Sequence, residues 1–273
     1  MLDAHQHFWT VARGDYGWMT PDLGPLLKDF GPEDLAPLMG RAGITRTILV
    51  QAAETEAETD FLLDLAQRTD FVAGVVGWLD MTSTDFPARL AAYRARPKWV
   101  GLRPMLQEHE PDHIRNPVLR ANLRHVEAAG VPFDILTHTR HLPVATEVLA
   151  EVPRLRAVLD HLSKPRIAHG ELDPWRAQID ALASMPNVSC KVSGMVTEAG
   201  ADWTLYDFRS FVGHVARAFG PGRLMFGTDW PVCTLAASHA EVVLLARTLL
   251  SEMFGPEDLK QIFETNAAAF YGV

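Results

Sequence analysis

Eight short runs of apolar and β-branched residues recur along the 273-residue chain, each followed by a segment with helical spacing. This alternation predicts a parallel sheet, because neighbouring parallel strands require a long crossover, usually a helix. Eight such units predict an α/β fold, a (β/α)8 TIM barrel formed as a single domain by residues 1–273. The predicted strands are Leu2–His7, Thr45–Gln51, Val72–Trp78, Trp99–Arg103, Phe133–Thr137, Ala157–His161, Val188–Val192 and Leu224–Gly227.

The main alternative is a doubly wound sheet, which usually has about five to seven strands and a glycine-rich phosphate turn after the first strand. No G-x-G-x-x-G motif follows Leu2–His7, and the chain has neither a P-loop nor a G-x-S-x-G nucleophile elbow. The sequence therefore favours the barrel.

The composition excludes several classes of protein. Apolar residues make up 48% of the chain, which is enough for a sizeable core and excludes a disordered chain. The 34 acidic and 25 basic residues give a formal net charge of −9, and the basic residues form no block. Because phosphate binding requires clustered Lys and Arg, we expect no nucleic-acid partner.

The N-terminal segment has no basic region followed by an apolar one, so we expect no secretory signal. Apolar stretches such as Val242–Leu250 fall short of the ~20 residues that cross a bilayer, so we expect no membrane partner. Cys190 and Cys233 fit neither a disulfide framework nor a paired zinc-ligand spacing. These features predict a cytoplasmic protein. The sequence does not fix its oligomeric state, and a homodimer is one option that it leaves open.

Two histidines end the first predicted strand. Because side chains alternate along a strand, the imidazoles of His5 and His7 are expected to point to the same face, the barrel interior. An isolated His-x-His is more often a hydrogen-bonded core pair. However, the C-terminal ends of barrel strands form the active site, and this position favours half of a metal site.

A carboxylate follows the last predicted strand. Asp229 lies two residues after Gly227, and barrel closure brings the last strand beside the first. Asp229 can therefore reach a metal ion held by the two histidines, although an Asp at such a position more often caps a turn.

Three further histidines could complete the site. His161 ends the sixth predicted strand, with Asp160 expected to face the other way, and it can serve as a metal ligand, an electrophile or a proton carrier. His138 and His141 follow the fifth strand. Spacing alone does not choose among the three, although His138 lies nearer the end of its strand than His141.

Five segments together resemble the amidohydrolase superfamily, and within it the sugar-lactone hydrolases of the L-fuconolactonase and L-rhamnonolactonase type. The segments are LDAHQHFW in Met1–Trp9, VLDHLSKP in Val158–Pro165, CKVSG in Cys190–Gly194, FGTDWP in Phe226–Pro231 and NAAAFYG in Asn266–Gly272. The resemblance implies a (β/α)8 barrel and hydrolysis of a lactone. It also implies a site built from His5, His7, His161 and Asp229, with Asp229 as the base that acts on water.

The resemblance also bears on the cofactor. Binuclear members of the superfamily carry a bridging Lys or Glu at the end of strand four, whereas here that strand ends in Arg103 and Lys98 lies at its other end. We therefore expect one divalent metal ion, with Zn²⁺ as the first candidate. Some relatives in this branch work without a metal, so the need for the ion stays open. The predicted ligands are His5, His7, His138 and Asp229.

Polar residues near the strand ends and in the following loops are predicted to bind a polar substrate. Arg103 is the strongest of them, because a guanidinium at a strand end must find an acceptor. Lys191 could instead pair with Glu198. The predicted set is Arg103, Gln107, His109, His141, Lys191 and Trp9, the last from a long loop, residues 8–30, whose aromatic rings either line a pocket or anchor the loop. The acidic run Glu54, Glu56 and Glu58 is predicted to be a solvated helix start.

The predicted reaction is the addition of water to the carbonyl of a small sugar lactone, which gives an aldonic acid. One rival is a metal-dependent decarboxylase of an unsaturated or aromatic acid on the same scaffold, which would release gas and leave lactones untouched. A second rival is a barrel that binds sugars without turning them over.

Overall fold

The computed structural model describes residues 1–273 and forms the predicted (β/α)8 barrel. Its eight strands are parallel and lie side by side in chain order, so each unit packs next to its neighbour in the sequence. The strands are β1 (Leu2–Gln6), β2 (Arg46–Val50), β3 (Val72–Gly77), β4 (Trp99–Leu102), β5 (Phe133–Ile135), β6 (Ala157–Leu159), β7 (Val188–Val192) and β8 (Leu224–Phe226).

The helices pack around this sheet, and a π-helical turn at Gln261–Thr265 joins the last two. None of them combines the length and the apolar character that crossing a lipid bilayer requires. The α-helices are α1 (Pro32–Ala42), α2 (Glu56–Gln67), α3 (Phe86–Arg94), α4 (Pro117–Ala129), α5 (Leu142–Leu149), α6 (Trp175–Ala183), α7 (Leu205–Phe219), α8 (His239–Ser251), α9 (Pro256–Lys260) and α10 (Asn266–Tyr271).

Local residue chemistry explains where the helices begin and end. The Asn116 side chain accepts hydrogen bonds from the first amides of α4, Pro117 occupies the first helical position, and Gly130 ends the helix in the left-handed conformation. At α8, Ser238 and Glu241 form a reciprocal capping box.

A β-bulge in β1 changes the expected side-chain alternation. Asp3 pairs with Thr47 and Gln6 with Leu49, so β1 has one residue more than β2 over the same stretch. Leu2 and Ala4 belong to the apolar cluster inside the barrel, and with the extra residue His5 also faces inward. Strict alternation would have placed His5 on the face opposite Ala4.

The apolar core has two layers. The larger layer fills the space between the sheet and the helices. The smaller layer lies inside the barrel, where residues of opposite strands such as Val50 and Val158 meet, and Tyr271 of α10 covers it from below. The C-terminal helix is therefore the floor of the barrel interior.

The barrel closes between β8 and β1 through the residues that follow β8. The amide of Asp229 donates to the carbonyl of His5 over 2.8 Å, and the amide of His7 donates to the carbonyl of Trp230 over 2.7 Å. Nearby, the buried Asp3 carboxylate accepts from the amide of Thr228 at 2.9 Å and also from the Thr228 hydroxyl. Burial raises the pKa of Asp3 to about 6, although the bonds from Thr228 oppose that rise.

Seven of the eight predicted strands end one or two residues later in the sequence than in the structure, and only the end of Val188–Val192 is confirmed. The residues just beyond these strand ends include His7, Arg103 and His161. They lie at the C-terminal face of the barrel.

Replacing Thr228 with Val removes one donor from the buried Asp3 carboxylate and keeps the side-chain volume. We expect the free energy of unfolding, measured by urea denaturation at pH 7, to fall by about 1–3 kcal/mol. Thr84→Val, at an exposed position with no side-chain hydrogen bond, is the matched control. Equal stability of the two variants would show that the Asp3–Thr228 contact does not hold the closure.

Candidate active site

Three side chains from the two ends of the chain meet at the C-terminal end of the barrel. Nε2 of His5 lies 3.2 Å from Nε2 of His7. Oδ1 of Asp229 lies 3.7 Å from the first nitrogen and 3.3 Å from the second. All three residues are almost completely buried. The bulge in β1 and the closing contacts after β8 are the features that bring them together.

These separations fit the ligand set of a tetrahedral metal ion. Bonds of about 2.1 Å at tetrahedral angles place ligand atoms about 3.4 Å apart. The three observed separations are 3.2, 3.3 and 3.7 Å. Two imidazole nitrogens and a carboxylate oxygen are also donors that Zn²⁺ and similar ions accept. The residues present therefore fit a divalent ion.

Neighbouring groups orient both imidazoles toward this point. Nδ1 of His7 lies 2.8 Å from the carbonyl oxygen of Val50, which can only accept, so Nδ1 carries the hydrogen and Nε2 keeps its lone pair. Nδ1 of His5 faces away from the site and lies 3.4 Å from Oδ1 of Asp160. Burial lowers the pKa of His5 well below its ordinary value, so this ring is neutral at pH 7.

His161 is the third imidazole at this point. Its Nε2 lies 3.8 Å from Oδ1 of Asp229, and its Nδ1 lies 2.9 Å from the Ser193 hydroxyl. His5, His161 and Asp229 each offer a ligand atom within 4.8 Å of the other two. His138 belongs to no such group; it is half-buried, and its amide donates to Nδ1 of His141. Of the alternatives that spacing left open, the structure brings His161 to the site.

The segment that carries His161 has an unusual backbone. His161, Leu162, Ser163 and Lys164 all have φ between 49° and 57°, the left-handed region that costs a non-glycine residue roughly 1–2 kcal/mol. This turn also corrects the expectation that Asp160 faces away from His161. Because β6 ends before Asp160, strand alternation does not apply there, and both side chains lie against His5.

Hydrogen bonds from the loop after β5 and from α6 hold this turn. The hydroxyls of Ser163 and Thr137 lie 2.9 Å apart, and the Thr139 hydroxyl donates to the Ser163 carbonyl over 3.2 Å. The indole of Trp175 donates to the carbonyl of Leu162 over 2.7 Å. Left-handed backbone of this kind persists only where its surroundings fix it, and it is common at functional sites.

Two glycines make room for the histidines. A Cβ atom at Gly194 would lie 2.4 Å from Nδ1 of His161, and one at Gly227 would lie 2.6 Å from Cβ of His5. Neither neighbour can move without leaving the site. The glycines in CKVSG and FGTDWP are therefore required for the close approach of the imidazoles.

A buried ion cluster lies inside the barrel beneath His5. The Lys191 ammonium pairs with the carboxylate of Asp134 and, over 3.0 Å, with that of Asp160; it also lies 3.2 Å from Nδ1 of His5. The Tyr271 hydroxyl lies 2.9 Å from both Asp134 oxygens and donates to that carboxylate. Burial raises the pKa of Asp134, whereas at Asp160 the charge of Lys191 and the hydrogen bond with His5 outweigh burial and lower the pKa. The cluster connects the C-terminal helix to the site.

A cavity of about 130 Å³ opens above the histidines. The Arg103 guanidinium faces it and lies 3.3 Å from Oδ2 of Asp160, and it also donates to the carbonyl and side-chain oxygens of Gln51. The Trp18 indole, from the long loop, donates to the carbonyl of Ala52 over 2.7 Å. The lining residues are His7, Trp18, Ala52, Arg103, Met105, Gln107, Glu108, Leu136, His161, Lys164, Asp229 and Val232.

Four of the residues predicted to bind substrate do not line this cavity. Lys191 lies beneath it in the ion cluster. His141 is buried against the carbonyl of His109, and His109 itself lies 3.4 Å from Glu54 in a neighbouring cleft. Trp9 is buried, with its indole donating to the carbonyl of Lys28. Arg103 and Gln107 do line the cavity, and Trp18 is the ring of the long loop that reaches it.

Glu58 corrects the prediction that the acidic run is solvated. Its side chain is fully buried, and its carboxylate accepts from the amides of Ala52 and Ala53 at 2.8–3.0 Å. Burial raises the pKa of Glu58 to about 8, although these two amides oppose the rise. Glu58 thus shapes the loop after β2, whose Ala52 lines the cavity. In the sequence, Glu58 lies three residues after Thr55, as in a capping box. That spacing indicates a helix start and gives no sign of a buried carboxylate.

The pKa values of Asp229 and His161 are both lower than their ordinary values, with opposite effects on their charge. Burial alone would raise the pKa of Asp229, but the three imidazoles around it hold the pKa well below its ordinary value. Burial lowers the pKa of His161 to about 4. At neutral pH the site therefore contains an ionised carboxylate beside the neutral imidazoles of His5 and His161, which suits a group that accepts a proton from water.

Comparison with known proteins gives a consistent result. The sequence profile of an amidohydrolase family matches residues 2–273. An L-fucono-1,5-lactonase of Burkholderia ambifaria is 42% identical over 276 residues, which cover 100% of this chain and 95% of that protein. An L-fucono-1,5-lactonase of Burkholderia multivorans is 36% identical, over 100% of this chain and 96% of that protein.

A solved structure is also similar over the whole chain. The crystal structure of an amidohydrolase from Burkholderia multivorans with bound zinc superimposes with a TM-score of 0.95 at 34% identity. The match covers 100% of this chain and 99% of that one.

Glu58 gives a testable pH dependence. Its pKa is about 8 in the folded chain against an ordinary value of 4.5, so between these values the folded state binds the extra proton and stability falls as pH rises. Glu58→Gln should remove this contribution, up to about 1.4 kcal/mol per pH unit. Urea denaturation at pH 5, 6, 7 and 8 measures the slope, independently of any constant loss in the variant.

Glu56→Gln, at a partly exposed position on the same turn of α2, is the control and should follow the wild-type slope. Parallel curves for wild type and Glu58→Gln would contradict the assignment of a protonated Glu58 at neutral pH.

Proposed function

The chain belongs to the amidohydrolase family, and on that basis we propose that it hydrolyses a small sugar lactone to the aldonic acid. The observation that carries the proposal is the meeting of His5, His7 and Asp229, the last two of which line the cavity, in a chain 42% identical to an L-fucono-1,5-lactonase. L-Fucono-1,5-lactone is the first candidate substrate.

In this proposal Asp229 is the base. Its ionised carboxylate lines the cavity and accepts a proton from the water that attacks the carbonyl carbon. The carbon–oxygen bond of the ring then breaks, and the proton passes to the ring oxygen, which becomes a hydroxyl. Water has thus supplied OH to the acyl carbon and H to the leaving oxygen.

His161 is the proposed partner of Asp229 in this transfer. It is neutral at pH 7 because burial lowers its pKa to about 4, and its Nε2 is on the side of Asp229. Ser193 holds the other ring nitrogen and fixes the plane of the imidazole. His161 can therefore relay the proton from Asp229 toward the leaving oxygen.

We further propose one divalent ion, Zn²⁺, at this site. His5, His7 and Asp229 would hold it, His161 keeps its role in proton transfer, and His138 stays a prediction. When bound, such an ion supplies a Lewis acid that polarises the carbonyl and makes water more acidic.

The arrangement supports a single ion. A second group of possible ligands, His5, Asp134 and Asp160, already surrounds the Lys191 ammonium. That ammonium neutralises the carboxylates which a second ion would require. Lys191 thus acts as a fixed cation beneath the metal site.

We also propose that the protein acts in the cytoplasm and that its partner is a small neutral sugar lactone. The absence of nucleic-acid and membrane partners stays a prediction, and a homodimer stays an option.

The reaction and the metal can be tested together. Purified protein is assayed with a pH indicator on a panel of 1,4- and 1,5-aldonolactones, with and without a chelator, alongside elemental analysis. We expect acid release fastest on L-fucono-1,5-lactone, close to one equivalent of zinc, and a loss of rate on chelation that zinc restores.

Gas release from unsaturated or aromatic acids, with lactones untouched, would replace the proposal with the decarboxylase. Binding of sugars without turnover, in protein supplied with metal, would replace it with the non-catalytic barrel. Full activity in protein shown to be free of metal would remove the ion and leave the Asp229 chemistry.

Asp229→Asn tests the base. The amide keeps the shape of the side chain but cannot accept the proton, so we expect kcat to fall by about 10³-fold or more while the protein stays folded. Circular dichroism and thermal unfolding check the fold. Asp70→Asn, at an exposed position without a charged partner, should keep wild-type activity. Turnover near the wild-type rate in Asp229→Asn would remove Asp229 from the mechanism.

A further inference from the structure

Two cationic side chains line the cavity, and their surroundings differ. The Arg103 guanidinium is almost fully buried and already donates to the Asp160 carboxylate and to oxygens of Gln51. Its charge is therefore compensated, and its donors are largely used. An arginine in this state shapes the cavity wall but has little capacity to bind a new negative charge.

Lys164 is the other cation. It lines the same cavity as His161 and Asp229, it is half-buried, and no carboxylate of the chain forms a salt bridge with its ammonium. Glu108, a carboxylate in the same lining, accepts instead from the side chain of Gln107. The Lys164 ammonium is therefore a cationic group of the cavity that has no salt-bridge partner within the chain.

The backbone places Lys164 at the same cavity as the proposed reacting groups. Lys164 ends the left-handed turn that begins at His161, and its amide donates to the His161 carbonyl over 2.7 Å. The Thr139 hydroxyl donates to the Lys164 carbonyl, so the loop after β5 helps to hold the residue. One strained turn therefore presents an imidazole and an ammonium to the same cavity.

We propose that Lys164 is a further catalytic residue whose ammonium donates a hydrogen bond to the carbonyl oxygen of the lactone. The inference rests on the proposed lactone hydrolysis. Negative charge develops on that oxygen when water adds to the carbonyl carbon, and a fixed donor stabilises it. Lys164 keeps its protons throughout, since the proton of water goes to Asp229 and then to the ring oxygen.

The same contact has a consequence for the product. After the ring carbon–oxygen bond breaks, the former carbonyl oxygen is one of the two oxygens of the aldonate carboxylate. The ammonium that stabilised the transition state then forms an ion pair with the product. Aldonate should therefore inhibit the enzyme more strongly than the corresponding alditol, which has the same hydroxyls but no carboxylate.

The experiment compares Lys164→Met with wild type on the best lactone of the panel. We expect kcat to fall by about 10²–10³-fold with a smaller change in KM, because the lost donor acts mainly in the transition state. The inhibition constant of the aldonate should rise by about tenfold, and that of the alditol should not change. Lys164→Arg, which keeps the charge, should recover part of both effects.

Lys260→Met removes one exposed positive charge from α9, outside the catalytic cavity, and is the matched control. Wild-type kcat in Lys164→Met, or a change in KM alone, would overturn the inference while lactone hydrolysis itself stands. If wild type opens no lactone of the panel, the proposed function fails first.

A second comparison covers loss of folding. Lys164→Gln retains a polar side chain and repeats the test if Lys164→Met is unstable. If neither variant folds, inhibition of the wild-type enzyme decides: equal inhibition by aldonate and alditol would overturn the inference, and tighter inhibition by aldonate would support it.

Discussion

The closure of the barrel between β8 and β1 is the contact on which the site depends. No ladder within the two strands joins them; the residues after β8 do, through the amide of Asp229 on the His5 carbonyl and the amide of His7 on the Trp230 carbonyl. Because these bonds involve the site residues themselves, a barrel that closes has its carboxylate beside its imidazoles. Folding and assembly of the site are one event.

A buried cation stabilises the two carboxylates beneath the site inside the barrel. Two buried carboxylates without a partner would strongly resist ionisation, but the Lys191 ammonium lies between Asp134 and Asp160, and Tyr271 donates to Asp134 from the barrel floor. Removing one member of such a cluster leaves a buried charge uncompensated. The cluster therefore holds His5 from below and keeps its Nε2 directed toward His7 and Asp229.

The sequence predicted the strand order, the barrel and the residues at the closure, because each depends on periodicity or on which strands become neighbours. It could not predict side-chain direction where the backbone leaves the strand. Asp160 faces inward because β6 ends before it, and Glu58 is buried because two free amides at the end of β2 need an acceptor. The partners of Lys191 are carboxylates inside the barrel that are distant from it in the sequence, so no local spacing indicates them.

The same distinction explains why Arg103 stood out in the sequence and Lys164 did not. A guanidinium at a strand end requires a hydrogen-bond acceptor. In the folded chain, Asp160 and Gln51 are the acceptors of the Arg103 guanidinium. Lys164 follows a strand by several residues, and only a left-handed turn, unfavourable for every residue in it, returns its ammonium to the cavity. Arg103, which is paired within the chain, therefore supports the wall of the site. Lys164, which lies on a strained turn and has no salt-bridge partner, is available to bind a substrate.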